Sequence, residues 1–142
     1  MYSREEAKKL RESFWIAFGK SYPRKWILYQ TKIKGLAFKF HFDSKKAIVA
    51  LDISTSDLEQ RMLLWEKLLR LQHLLVSEYL PTAVFEDIHF LEQGKEVSRI
   101  YIVNEGVSIH NKASWQETMI FFNENMNQFE LFFEDFKDIL SA

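Results

Sequence analysis

The chain has 142 residues, of which 47% are hydrophobic and 15% aromatic, with four Gly, two Pro and no Cys. This composition excludes a disordered chain, a disulfide framework and any site that needs a thiolate, and the length fits a single domain spanning residues 1–142. The first fifty residues carry twelve Lys or Arg and four Asp or Glu, a net charge of +8, whereas the rest carry seven basic and sixteen acidic residues, a net charge of −9.

Three Ser-x-x-Glu motifs predict where helices begin, because the Ser hydroxyl and the Glu carboxylate each accept a hydrogen bond from a free amide of the first turn. The motifs are Ser3 with Glu6, Ser56 with Glu59, and Ser114 with Glu117. The first motif starts a helix that we expect to run from about Arg4 to Phe18 and to end at Gly19.

Between Pro23 and Ser54 the apolar residues follow a period of two, which predicts strands. Segments 36–42 and 47–53 are predicted to form an antiparallel hairpin, with a possible third strand at 26–29. If Phe42 pairs with Ala47, then Phe40, Phe38 and Leu36 also meet apolar partners. One face of the hairpin is then wholly apolar, which fixes the register.

The other face of this hairpin holds the residues that could bind a metal. His41, Asp43 and Asp52 are of types that suit a hard or borderline ion. A nuclease-type magnesium site also needs a lysine two positions after the strand carboxylate, but Ser54 stands there. Lys39 lies diagonal to Asp52 in the predicted register, so we interpret these two as a cross-strand ion pair and assign no metal, cofactor or catalytic residue.

The second predicted helix, from Asp57 to about Tyr79, is apolar around most of its circumference. Such a helix is either central or at a subunit interface. Pro81 ends it, and a second antiparallel hairpin is predicted at about 84–91 and 97–103, with its turn at 93–95.

The second hairpin provides a candidate polar cluster. If Leu91 pairs with Val97, one face gathers an acid, an imidazole, a guanidinium and a phenol: Asp87, His89, Arg99 and Tyr101. These groups could bind a small anion or carry acid–base chemistry. The alternative is a solvated or interfacial hydrogen-bond network.

The third helix is predicted from Ser114 to about Leu140. Its apolar residues alternate spacings of four and three, a heptad seam. The members are Trp115, Met119, Phe122, Met126, Phe129, Phe133, Phe136 and Leu140. We expect this seam to cover the sheet, with helix-mediated dimerisation as the alternative. Helices and hairpins in this order predict one α+β domain: helix, antiparallel hairpin, helix, antiparallel hairpin and long C-terminal helix.

The basic N-terminal third supplies candidate contacts to an anion or nucleic acid, because basic groups neutralise phosphates and aromatic rings stack on exposed bases. The candidates are Lys25, Lys32, Lys34, Lys39, Lys45 and Lys46, with Trp26 and Tyr29 between them.

Several short motifs together resemble the bacterial domain-of-unknown-function 4268 family. They are Ser3-Arg4-Glu5-Glu6-Ala7-Lys8-Lys9-Leu10-Arg11, Phe14-Trp15, Phe18-Gly19, Trp26, Tyr29, Thr31, Ile33-Lys34, Phe38-Lys39-Phe40, Lys45-Lys46, Ser98-Arg99-Ile100-Tyr101, Gly106-Val107-Ser108-Ile109, Asn111-Lys112 and Trp115. The family is uncharacterised. In its longer members a similar domain follows a nuclease-like region, so the resemblance implies an accessory role in DNA transactions.

We therefore expect a cytoplasmic, non-catalytic interaction module that forms a homodimer through helix 57–79 or 114–140. The charged N-terminus and the lack of a long apolar segment predict neither export nor a membrane span. The alternative function is a nucleic-acid-associated accessory domain that uses the basic N-terminal third. A small-anion binder or enzyme at Asp87, His89, Arg99 and Tyr101 is a third hypothesis.

Overall fold

The computed structural model describes residues 2–142 and confirms the predicted α+β class. The helices are α1 (Arg4–Ser21), α2 (Leu58–Arg70), α3 (Gln72–Glu78) and α4 (Trp115–Ser141), with a 3₁₀ turn at Lys112–Ser114. The strands are β1 (Leu36–Phe42), β2 (Lys46–Ile53), β3 (Val84–Phe90) and β4 (Glu96–Glu105). They form one antiparallel sheet in the order β1-β2-β4-β3. No helix among residues 2–142 is both long and apolar enough to cross a bilayer.

The first hairpin has the predicted register, with Phe42 opposite Ala47 and Leu36 opposite Ile53. The predicted third strand at 26–29 is wrong. Leu28 has a φ of +46°, which lies outside the strand region of backbone conformation. The segment instead caps the edge of β1, because the Leu28 carbonyl accepts a hydrogen bond of 3.0 Å from the Phe38 amide.

The helices pack on one face of the sheet and enclose an aromatic core. The heptad seam of α4 is largely buried, as predicted for a helix that covers a sheet. Its buried members are Met119, Phe122, Met126, Phe129, Phe133 and Leu140. The Phe14 ring of α1 contacts Phe42 of β1 at a centroid distance of 4.7 Å, so α1 closes the same core from the hairpin end.

Only the first of the three predicted capping motifs forms. Ser3 and Glu6 make both reciprocal hydrogen bonds. In α2 the cap is Asp57 rather than Ser56, because the Asp57 carboxylate accepts from the Gln60 amide at 3.2 Å. The Ser114 hydroxyl instead donates to carbonyls that precede it. In both places a different local hydrogen bond forms instead of the predicted cap.

The second predicted helix is two helices, divided at Leu71, where φ is −94° and ψ is 0°. The Leu71 amide donates to the carbonyls of Leu68 and Leu69, which tightens the last turn of α2. The break allows Leu71 and Leu75, 8% and 0% exposed, to join the core.

The second hairpin differs from its predicted register by two residues next to the turn, where His89 rather than Leu91 pairs with Val97, and a bulge in β3 shifts the pairing by one more residue. His89 pairs with Val97 and Glu86 with Arg99, so Asp87 and Ile88 together oppose Ser98. The Ser98 hydroxyl and the Arg61 guanidinium both donate to the Asp87 carbonyl, at 2.6 and 3.1 Å. The bulge is thus held from two sides.

The bulge bends the tip of this hairpin over the face of the sheet that carries no helix. Val97 points to that face and yet is 0% exposed. At the tip, Glu92 lies beside His41 and Asp43. Because β4 runs antiparallel to β2, a flat sheet would place the hairpin tip and the end of β1 at opposite ends of the sheet. Bulges commonly bend a strand in this way.

Candidate functional site

The helix-free face is organised around one buried carboxylate. Asp52 is 0% exposed and accepts two hydrogen bonds from the Arg99 guanidinium, at 2.6 Å from Nε and 2.8 Å from Nη2. The Lys39 ammonium lies 3.3 Å from Asp52 Oδ2, which is the predicted cross-strand ion pair. The carboxylate therefore faces two cations and is excluded from water.

Three of the four predicted cluster residues come together beside this ion pair, and the fourth does not. His89 Nε2 lies 3.4 Å from Arg99 Nη1, and the His89 and Tyr101 ring centroids are 6.0 Å apart. Asp87 is exposed and contributes its backbone carbonyl to the bulge instead. Glu86 supplies the acid, with Oε2 at 2.8 Å from His89 Nδ1.

The hydrogen bond between Glu86 and Tyr101 shifts the pKa of both residues. The Tyr101 hydroxyl donates to Glu86 Oε1 at 2.6 Å. This hydrogen bond, together with the one to His89, lowers the pKa of Glu86. The same hydrogen bond, aided by burial, raises the pKa of Tyr101 to about 12. The Glu86 carboxylate is therefore engaged by two hydrogen bonds, and the Tyr101 phenol stays protonated near neutral pH.

Above this cluster, the bent hairpin tip and the end of β1 enclose a cavity of about 200 Å³. His41 Nε2 lies 2.7 Å from Asp43 Oδ2, and Asp43 Oδ1 accepts from two backbone amides. Although partial burial acts to raise it, these hydrogen bonds leave the pKa of Asp43 lowered. The cavity is lined by His41, Asp43, Lys46, Ile48, His89, Phe90, Leu91, Glu92 and Arg99.

The predicted basic contacts do not lie together. Lys45 and Lys46 are at the β1–β2 turn, while Lys32 and Lys34 precede β1 at its other end, about 23 Å away for a seven-residue strand. Lys39 is between the two ends and is engaged by Asp52. Lys25 belongs to the segment before β1, next to Arg24, which pairs with Glu130 of α4 at 2.5 Å.

Most basic residues of the first fifty make no close ion pair among residues 2–142. Twelve basic residues lie there, yet among residues 2–142 only Arg24 and Lys39 have an acidic partner within 4.0 Å. The other ten basic residues of this segment make no close ion pair among residues 2–142, although the whole chain has a net charge of −1.

A third feature is an exposed apolar surface where α2 meets β3. The buried Trp65 of α2 contacts Phe85 of β3, with the ring centroids 5.9 Å apart. Residues three or four positions from Trp65 lie on the same side of α2, so this flank of the helix faces β3. Phe90 pairs with Glu96, whose carboxylate binds Arg61 of α2, which places Phe90 on the same side. We call Leu58, Met62, Leu69, Ile88 and Phe90 the α2–β3 surface; they are 59%, 54%, 41%, 57% and 64% exposed.

Three residues of the polar cluster, the cavity and the bulge were not identified from the sequence. Glu86 and Glu92 reach their positions through the bulge, which has no local sequence signal. Arg61 is 7% exposed and binds Ser98, Glu96 and the Asp87 carbonyl. Its position on the apolar side of α2, between Leu58 and Leu64, was the one available indication that a buried partner exists.

No curated protein and no solved structure matches the chain. A family model does match it, over residues 10–137, and is described as Domain of unknown function (DUF4268). The match covers nearly the whole chain and confirms the resemblance carried by the short motifs. The chain therefore belongs to the DUF4268 family.

Proposed function

We propose that this domain is a non-catalytic interaction module that forms a homodimer through the α2–β3 surface. The observation that carries the proposal is that five large apolar side chains of α2 and β3, two elements in contact through Trp65 and Phe85, are each at least 41% exposed. Monomeric proteins rarely expose apolar residues in a contiguous patch of this kind without a partner.

Two alternative contact elements, the α4 seam and the edge of β1, are largely covered, which favours this surface. The seam of α4 is buried against the domain's own sheet. The free edge of β1 is capped by the Leu28 carbonyl, whereas β3 forms the other edge and pairs only with β4. The dimer contact therefore falls to α2 and β3.

A second copy is the occupant because the surface can pack on itself. An isologous contact across a two-fold axis needs one self-complementary patch, and unbranched Met62 adapts its shape to an apolar neighbour. The bulge in β3 interrupts the strand edge, so the contact consists of packed side chains rather than a sheet continued across the dimer.

Sedimentation velocity over about a hundredfold range of protein concentration tests the proposal, because dimerisation obeys mass action. The wild type is expected to shift from monomer to dimer, whereas Met62→Lys and Phe90→Lys remain monomeric. Ile139→Lys is the matched control, since Ile139 is 50% exposed but lies on α4. A wild type that is monomeric throughout, or a control that fails like the two variants, would reject this interface.

A nucleic-acid-associated accessory role is the second candidate, supported by the basic residues that lack an acidic partner. Ten of the twelve cations in the first fifty residues are in this state among residues 2–142. Titration of labelled single- and double-stranded DNA at several salt concentrations tests this role. Paired variants Lys45→Glu/Lys46→Glu and Lys32→Glu/Lys34→Glu identify which end of the hairpin binds. Absence of binding at low salt would eliminate it.

A further inference from the structure

We propose that His41, Asp43 and Glu92 form a binding site for a divalent transition-metal ion in the cavity under the bent hairpin tip. Each residue offers one ligand atom, and the three atoms lie within 4.8 Å of one another. The sequence analysis grouped His41 and Asp43 with Asp52, assigned no metal because it interpreted Asp52 as the ion-pair partner of Lys39, and had no means of placing Glu92.

The donor set defines the class of ion. One imidazole nitrogen and two carboxylates suit zinc, cobalt or manganese better than a thiolate-preferring ion. Metal–ligand bonds of about 2.1 Å place the donors of a tetrahedral ion about 3.4 Å apart. The three atoms lie within 4.8 Å of one another, with His41 Nε2 and Asp43 Oδ2 at 2.7 Å, so an ion would separate these two slightly. Glu92 is exposed, so its side chain can rotate onto the ion without disturbing the core.

The three ligands come from two separate parts of the chain. His41 and Asp43 lie at the end of β1, and Glu92 lies in the turn after β3. Only the bend of the β3–β4 hairpin brings them together. A bound ion would therefore fasten the hairpin tip to β1, in addition to the contacts that hold the bulge.

Arg99 offers a hydrogen-bond donor to a ligand in this cavity, although its Nη1 already has a partner. Its side chain lines the cavity although the residue is 7% exposed. Nε and Nη2 are engaged by Asp52, but the hydrogen-bonded contact of Nη1 is His89 Nε2 at the long distance of 3.4 Å. A buried guanidinium nitrogen with so weak a partner suits an oxygen ligand, such as the water or oxyanion that fills the remaining positions of a three-ligand metal site.

The test is calorimetric titration of the full chain with zinc, cobalt, manganese or magnesium chloride alone. We expect saturable binding of one zinc or cobalt ion, with visible absorption bands for cobalt, and weaker binding of magnesium. Glu92→Gln should weaken binding about 10- to 100-fold, as loss of a metal-site interaction does, and His41→Ala should weaken it as well.

His73→Ala is the matched control, because His73 is an exposed imidazole on α3. Glu92→Gln changes an exposed residue, so an unaltered circular dichroism spectrum and unfolding curve would separate lost binding from lost folding. Absence of saturable binding, binding that Glu92→Gln leaves unchanged, or a loss in His73→Ala equal to that in Glu92→Gln would overturn the proposal. Neither result bears on the α2–β3 surface, which contains none of the three ligands, although Phe90 of that surface also lines the cavity.

Discussion

The Arg99 guanidinium holds the Asp52 carboxylate through two hydrogen bonds of 2.6 and 2.8 Å, and Asp52 has no exposed surface. A buried carboxylate is tolerable only when its partners satisfy it. Asp52 lies on β2 and Arg99 on β4, so this ion pair also fixes the position of the side chains that surround the cavity.

Removal of Asp52 should therefore be costly. Asp52→Ala leaves Arg99 buried without its counter-ion, and we expect a loss of roughly 3–5 kcal/mol in the free energy of unfolding. Urea denaturation measures it. Lys39→Ala is the comparison, because Lys39 is partly exposed and should cost at most about 1 kcal/mol. Equal losses for the two variants would show that Arg99 does not depend on Asp52.

Glu130 of α4 should control the segment that covers the edge of β1. It is 7% exposed and accepts hydrogen bonds from Arg24 Nη2 at 2.5 Å and from the Ile27 amide at 2.7 Å. Glu130→Ala leaves both donors without this partner, and we expect a loss of about 1.5–3 kcal/mol. Because the neighbouring Leu28 carbonyl binds the Phe38 amide, hydrogen exchange at Phe38 should accelerate. Glu134→Ala, an exposed site on the same helix, should leave that exchange rate unchanged.

The Glu86–Tyr101 hydrogen bond should be visible in pH titrations. The pKa of Tyr101 is raised to about 12, so the stability it contributes is present below pH 10, the ordinary tyrosine value, and is lost as pH rises toward about 12. The pKa of Glu86 is lowered, so its contribution is present above the ordinary glutamate value and is lost as pH falls through the lowered one.

Difference absorbance between the wild type and Tyr101→Phe isolates the Tyr101 phenolate. We expect its midpoint near 12 in the wild type and a clear fall toward 10 in Glu86→Gln. If Glu86→Gln leaves the midpoint unchanged, the hydrogen bond to Glu86 is not the cause of the raised Tyr101 pKa. Unfolding curves between pH 3 and 6 should show a smaller loss of stability on acidification in Glu86→Gln than in the wild type.

The two hairpins show what sequence reasoning can and cannot fix. In the first hairpin, one register makes every residue of one face apolar. A shift of the pairing by one residue would bring Lys39 and His41 to the buried face, among the helices. In the second hairpin the pattern tolerates more than one pairing. The bulge depends on Arg61 and Ser98, which bind the Asp87 carbonyl from elsewhere in the fold, and a local pattern carries no information about that contact.

The candidate site was predictable to the same extent. Arg99, His89 and Tyr101 were grouped correctly because they are neighbours on one hairpin, whereas Glu86 replaces Asp87 on account of the bulge. The position of Glu92 depends on the bend that follows. The break at Leu71 likewise had no signal, since neither Gly nor Pro stands there, and tertiary burial of the leucines determines it.

Gly35 should be the least replaceable glycine, and Gly106 is its matched control because both have a φ of +82°. An alanine at either site should lower the free energy of unfolding by about 1–2 kcal/mol, because its side chain disfavours the left-handed backbone conformation. A Cβ at Gly35 would also lie 2.8 Å from Thr55 Cβ and 3.1 Å from the Thr55 amide nitrogen, whereas nothing lies within 4 Å at Gly106. Gly35→Ala should therefore lose about 1–3 kcal/mol more than Gly106→Ala in urea denaturation, as overpacking does. Equal losses would mean that Thr55, at the end of β2, moves aside freely.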